Sequence, residues 1–264
     1  PQTLSARTAL GRQPVLKAPR VLGDWVLWLE QRPQEKGRTT AMIRPWKQAD
    51  QPAKELTAAP ANLRCRIHEY GGGAIAVALL DDELLLTWID DNDRCLWQQT
   101  WKGLQGRDAT ALMAETEPMR ISAPGDRALG GGLIDQERLR WMGVMECNGH
   151  DHLVSLALNQ HDQEPRILHS ADDFAGYPAL SADGSQLAWV EWRQPAMPWD
   201  ASELRLASIT PEGQLTKVRA LAGSRPDAEQ PISVFQPLWQ PDGSLVVAED
   251  SSGWWNLMRH ADPG

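Results

Sequence analysis

The residues best equipped for chemistry fall in a few short strings. His68-Glu69-Tyr70 sets an imidazole, a carboxylate and a phenol side by side, directly ahead of Gly71-Gly-Gly73. Such a trio donates, accepts and carries charge at one point, and the glycines behind it let backbone approach backbone. The structural alternative is a trio that caps its sheet and touches a neighbouring domain. Met197-Pro-Trp-Asp200, with Glu203 just beyond, offers Trp199 as an apolar wall and Asp200 as a loop tie through backbone hydrogen bonds. Its alternative is a rigid interface loop. Trp254-Trp255-Asn256 is similar, with core packing expected for one of the two indoles.

Metal chemistry has weaker support. Asn148-Gly-His-Asp-His152 places two imidazoles two residues apart, with His161 beyond. Zinc needs three or four converging ligands with oriented supports, so a solvated polar loop is expected instead. Asp90-Asp-Asn-Asp93 opens like a calcium loop but lacks the later Gly and the bidentate Glu, so a solvated acidic turn is expected. Gly71–Gly73 and Gly130–Gly132 lead into strands and supply no phosphate-binding helix start. No metal and no cofactor is expected.

These strings need elements to hold them. Among 264 residues, 26 Lys and Arg against 35 Asp and Glu give a net charge of −9, with no basic stripe for nucleic acid or an anionic membrane. No apolar run approaches the roughly 18 residues of a membrane span. Pro1 to Lys17 contains no apolar signal segment, and three scattered cysteines fit a reducing compartment, so a cytoplasmic location is expected. Trp supplies most of the aromatic bulk, at 13 against 2 Tyr and 2 Phe. The 21 Gly and 19 Pro are spread along the chain, which favours many short strands joined by turns.

The strands repeat. Tyr177 to Glu191 and Phe235 to Glu249 both read as strand, Asp-Gly turn, strand. Weaker copies surround Asp24, Asp82 and Gln136, so with Gly184 and Gly243 the turns recur at gaps of 58, 54, 48 and 59 residues. A unit of that size holds four strands, the size of a propeller blade. The reading is an all-β propeller of four-stranded antiparallel blades with units at about 19–66, 67–125, 126–172 and 173–231, and an incomplete fifth at 232–264. Trp28-Leu-Glu30, Trp88-Ile-Asp90 and Trp189-Val-Glu191 share Trp, apolar, acid; Val144-Met-Glu146 and Ala248-Glu-Asp250 stand in the other copies. Residues two apart share a sheet face, so the Trp is expected between blades and the acid at a wet strand end. Either residues 1–18 close a five-bladed ring, or the chain is the front part of a larger propeller with open, self-associating blade edges.

Six strings together carry a resemblance: Asp24-Trp-Val-Leu-Trp-Leu-Glu-Gln-Arg-Pro33, Gly37-Arg-Thr39, Arg66-Ile-His-Glu-Tyr-Gly-Gly-Gly73, Met197-Pro-Trp-Asp-Ala-Ser-Glu-Leu204, Phe235-Gln-Pro237 and Asp250-Ser-Ser-Gly-Trp-Trp-Asn-Leu257. As a set they resemble the N-terminal β-propeller of prolyl-oligopeptidase-type serine peptidases, of the dipeptidyl aminopeptidase and acylaminoacyl-peptidase-like kind. The resemblance implies a seven-bladed propeller followed by an α/β-hydrolase domain with a Ser-Asp-His triad on a Gly-x-Ser-x-Gly elbow. This chain contains no Gly-x-Ser-x-Gly, so no catalytic residue is assigned within it. The resemblance implies a propeller that docks on the hydrolase domain and limits access to short peptides. His68, Glu69, Tyr70, Trp199, Asp200, Glu203, Trp254, Trp255 and Asn256 then face substrate or the other domain, with Glu69 holding a peptide amine. Two other readings compete. One is a free-standing TolB-like propeller that binds a protein or peptide. The other is a five-bladed glycosidase, which needs acids on its inner strands; Ala74–Ala78, Leu129–Ile134, Tyr177–Leu180 and Phe235–Trp239 carry none.

Overall fold

The computed structural model of the chain describes residues 13–48, 50–261 and 263. Most of the segment expected to close a five-bladed ring, residues 1–12, lies outside the described residues. The described strands form five antiparallel sheets, one per repeat. The first holds β1 (Val15–Leu22), β2 (Trp25–Arg32), β3 (Arg38–Pro45) and β4 (Lys54–Glu55). The second holds β5 (Ile75–Leu80), β6 (Glu83–Ile89) and β7 (Leu96–Lys102), with the short β8 (Met113–Ala114) and β9 (Met119–Arg120) both paired to β7. The third holds β10 (Ala128–Asp135), β11 (Arg140–Cys147), β12 (His150–Ala157) and β13 (Arg166–Ser170). The fourth holds β14 (Phe174–Leu180), β15 (Gln186–Trp192), β16 (Glu203–Ile209) and β17 (Leu215–Gly223), and the fifth β18 (Val234–Trp239), β19 (Leu245–Glu249) and β20 (Asn256–His260). This is the five-bladed propeller arrangement that the repeat implies.

The turn chemistry explains the hairpins. Asp183 accepts hydrogen bonds from the Ser181 hydroxyl at 2.6 Å and from the Ser185 backbone at 3.1 Å, which fixes the turn around left-handed Gly184. Those bonds, the Ser181 hydroxyl foremost, hold the Asp183 carboxyl down at about 2. Asp242 repeats the arrangement with the Ser244 backbone and hydroxyl at 3.0 and 2.7 Å.

Four of the five inner strands carry the same interruption. Pairing skips two residues in β1, β10, β14 and β18, and the first skipped residue is left-handed each time: Ala18, Gly131, Tyr177 and Gln236. These are β-bulges, two residues opposite one, and they bend the strand at the central channel. The residue opposite is Trp28, Gly143, Trp189 or Val247. The bulges therefore align the repeats by geometry. The fifth copy of the signature is Val247-Ala-Glu249, one residue earlier than the sequence alignment puts it. In the third blade Gly143 takes the Trp position, and the ring of Trp141 fills the vacated space; a Cβ on Gly143 would meet that ring at 2.3 Å.

Two of the signature acids are not at wet strand ends. Asp90 and Glu191 are buried, and the indole two residues earlier donates to each, Trp88 to Asp90 at 3.4 Å and Trp189 to Glu191 at 2.7 Å. The shared sheet face that predicts an aligned pair also carries the acid inward, where the indole N–H and the carboxylate satisfy each other. Inner strand β10 likewise ends on an acid that sequence reasoning places in the turn. Asp135 is fully buried and neutralised by Arg140 at 2.8 Å and Arg138 at 3.3 Å.

Blade packing follows three apolar clusters. One joins blades 1 and 2 around Leu27, Ile43, Leu84 and Trp88; one joins blades 2, 3 and 4 around Leu129, Trp141 and Trp189; one joins blades 4 and 5 around Val190, Leu204, Val234 and Val247. Among the described residues no cluster joins blade 5 to blade 1. β1 leaves Leu16 and Val21 exposed, and β20 leaves Leu257 78% exposed. A cavity of about 640 Å³ runs among the inner strands of all five blades, open towards the Gln136 and Asp183 turns.

Candidate functional site

Loops that lead into an inner strand and loops between the second and third strands meet on the face opposite the Asp-Gly turns. Arg66 pairs with Asp91 at 2.7 Å, and Ser233 donates to the Pro198 carbonyl at 3.0 Å. His68 reaches furthest. Its Nε2 lies 2.6 Å from Asp151 Oδ2, on β12, and its backbone N–H donates to Glu146, on β11, at 2.6 Å. Asp151 Oδ2 also accepts the Ala175 N–H of β14 at 2.8 Å. The imidazole stands edge-on to Phe174 and Trp192 of blade 4, with ring centroids at 5.6 and 5.4 Å. One loop thus ties blades 2, 3 and 4 together.

The backbone behind His68 makes this reach possible. His68 and Glu69 are both left-handed, at φ 50° and 65°. Gly73 lies against blade 3, where Gly131 donates to its carbonyl at 3.0 Å, and a Cβ on Gly73 would meet the Gly131 Cα at 2.6 Å. Glycine at that point is required by close backbone approach as well as by its φ of 61°. The Cys65 thiol beneath donates to Gly72 O at 2.7 Å, and burial pushes that thiol up, away from thiolate chemistry.

The other sequence-predicted residues occupy the same face without converging on one point. Glu69 is exposed; its N–H donates to the Arg66 carbonyl at 3.0 Å, and its carboxylate makes no hydrogen bond or ion pair among the described residues. Tyr70 is exposed beside the His68 ring at 6.1 Å. Trp199 is exposed, and Asp200 ties its loop by accepting the Met197 N–H at 2.9 Å. Glu203 lies between Arg193 at 3.6 Å and Arg225 at 3.8 Å. Neither Trp254 nor Trp255 is in the core: Trp254 is 80% exposed, and Trp255 is half-exposed with its ring edge-on to Phe235 at 5.7 Å. Among the described residues no strand pairs with the far edge of β20, and neither indole has the burial expected for one of them. Asn256 closes the turn by donating to Ser252 and to the Trp254 carbonyl.

Sequence reasoning missed an aromatic arc. Tyr177 meets Phe235 at 5.2 Å, and Phe235 meets Trp255. Burial, helped by the Tyr70 phenol, raises the Tyr177 pKa. It also missed Glu146 and Asp151. Residues 148–152 are not a solvated loop: β12 begins at His150, and Asp151 alternates inward with Leu153. That period of two was the available signal. The acidic turn at Asp90–Asp93 is better tied than expected. The Asp90 carboxylate accepts Asn92 and Trp88 N–H groups, while Asp93 accepts from Trp97 at 3.1 Å. Burial pushes the Asp90 carboxyl up.

Neither a protein-family model nor a curated protein sequence matches the chain. Solved structures do. A puromycin-hydrolysing peptidase of Mycobacterium tuberculosis superposes with a TM-score of 0.81 at 27% identity over 98% of this chain. A puromycin hydrolase superposes over 100% of it, with a TM-score of 0.80 at 28% identity. The chain is a β-propeller that matches those of puromycin hydrolases along its whole length. The puromycin-hydrolase-like propeller spans only 38% and 40% of those two chains, so such propellers sit within much longer peptidases. TolB from Acinetobacter baumannii, at 12% identity and a TM-score of 0.50, shares the fold alone.

Proposed function

We propose that this propeller docks on the α/β-hydrolase domain of a serine peptidase and gates short peptides into it. The observation that carries this reading is the match to puromycin-hydrolysing peptidases at 27–28% identity across the whole chain. The distribution of the distinctive strings supports it: His68-Glu69-Tyr70, Trp199-Asp200 and Trp254-Trp255-Asn256 all occupy one face, which is the face assigned to the hydrolase domain. Exposed Tyr70, Trp199 and Trp254 supply apolar area there, and the unpaired carboxylate of Glu69 supplies a charge for a peptide amine. The reading includes a seven-bladed parent ring and a cytoplasmic location, the latter supported by free thiols at Cys65, Cys95 and Cys147.

The test is the intact gene product from its native host. A mass well above 29.3 kDa, hydrolysis of aminoacyl amides and short peptides, and loss of discrimination against long peptides in Tyr70→Ala and Trp199→Ala together support the proposal. A product of this mass without hydrolytic activity overturns it in favour of a free-standing, partner-binding propeller of TolB type. Active enzyme whose size discrimination is untouched by both substitutions overturns the gating role alone.

A further inference from the structure

Three side chains distant in sequence converge where blades 2, 3 and 4 meet. A ring nitrogen of His68, one oxygen of Glu146 and one oxygen of Asp151 lie within 4.8 Å of one another, with His68 Nε2 2.6 Å from Asp151 Oδ2. They arise from the loop before β5, the end of β11 and the start of β12. Two carboxylates against one imidazole leave the group negative even with the imidazole protonated. No lysine or arginine pairs with either carboxylate among the described residues.

The second observation is an oxygen without a donor. Asp151 is fully buried, and while its Oδ2 receives His68 and Ala175, its Oδ1 has no hydrogen-bond partner among the described residues. A sealed carboxylate oxygen left unpaired is costly, and a cation is the ordinary remedy. The surroundings are those of an oriented ligand set. Ala175 N–H steadies the carboxylate, and Phe174 and Trp192 fix the plane of the imidazole.

We propose that His68, Glu146 and Asp151 form a divalent-cation site of the zinc class. An imidazole nitrogen with two carboxylate oxygens suits zinc better than calcium or magnesium, which prefer all-oxygen shells. On binding, Nε2 gives up its hydrogen bond to Asp151 and becomes a ligand, with the imidazole proton at Nδ1. The two carboxylates supply the other donors at about 2 Å, and a water completes four-coordination. The ion clamps three blades at the root of the His68-Glu69-Tyr70 loop. This inference stands apart from the peptidase reading, since it concerns only residues within the propeller.

The test uses the chelator-stripped protein titrated with zinc chloride by calorimetry, with thermal melting and cobalt absorption in parallel. The expected result is one zinc per chain, a higher melting temperature with zinc, and cobalt bands of a low-coordinate site. Asp151→Asn and Glu146→Gln are near-isosteric and are each expected to weaken binding by at least about tenfold. Their melting in chelator reports folding, and should one fail to fold, the other carries the test. His150, exposed, and His152, half-buried, are neighbours tied to the Asp172 carbonyl and the Ser170 hydroxyl. His150→Ala and His152→Ala are expected to leave binding unchanged. The proposal is overturned by absence of stoichiometric zinc, by binding that survives either carboxylate substitution, or by binding lost with His150 or His152.

Discussion

Gly73→Ala tests whether blades 2 and 3 are held by direct backbone approach. Gly73 and Gly243 are both left-handed, at φ 61° and 82°. An alanine at either position bears the same left-handed cost of about 1–2 kcal/mol. They differ in space. A Cβ on Gly73 would meet the Gly131 Cα at 2.6 Å and its nitrogen at 2.8 Å, both backbone, whereas a Cβ on Gly243 would meet nothing within 4 Å. Forcing the blades apart adds an overpacking cost of about 1–3 kcal/mol. It also lengthens the Gly131-to-Gly73 hydrogen bond, worth about 1 kcal/mol. Gly73→Ala should therefore be less stable than Gly243→Ala by about 2–4 kcal/mol. Urea unfolding monitored by tryptophan fluorescence measures the difference. Equal destabilisation of the two variants would refute the reasoning, because it would leave conformation alone as the reason for glycine at position 73.

Three further outcomes follow from the packing. Burial opposes ionisation of Glu191, but bonds from His169 and Trp189 and the charge of Arg205 outweigh it and hold its carboxyl below the usual carboxylate range. Its stabilising contribution is therefore complete above the unfolded value of about 4.3 and is lost as pH falls below it. Glu191→Gln should cost about 2 kcal/mol at pH 7, below the cost of breaking a fully buried pair because Arg205 and His169 are 21% and 20% exposed, and the gap from the parent should narrow below about pH 4. Trp189→Ala should cost about 3–5 kcal/mol in the same unfolding assay, and Trp254→Ala should stay within about 0.5 kcal/mol. This chain should show a mass that rises with concentration in light scattering, and Val21→Lys with Leu257→Lys should return it towards 29.3 kDa; a monodisperse parent would remove the exposed faces of β1 and β20 from the account.

The repeat was legible because each hairpin announces itself. Asp-Gly turns with flanking serines, spaced by one blade, need only local chemistry. The distinctive loop strings were legible for the same reason, as was Asp200 tying its own loop. What escaped was convergence across blades. Glu146 and Asp151 sit 78 and 83 residues from His68, and only ring geometry brings them together. The depth of the signature acids was also missed, since an acid near a strand end reads as solvated until the indole on the same face is seen to donate to it. Substitution by a neighbour escaped as well. Trp141 fills a space that other blades fill from two residues further on, which no column-by-column comparison of repeats reveals.

The bulges of the inner strands bear on how an incompletely covered sheet avoids templating its own aggregation. The channel edge of an inner strand is a row of unpaired donors and acceptors, which invites another chain to add a strand. In β1, β14 and β18 the residue after the left-handed one is a proline, Pro19, Pro178 or Pro237, which has no N–H to offer. In β10 the corresponding bulge directs Gly131 N–H to Gly73 instead. The row of donors is therefore broken near the middle of each of these edges. At these inner edges the breaks oppose growing cross-β ladders, so association of this chain is expected through the exposed apolar faces of β1 and β20 and to reverse on dilution.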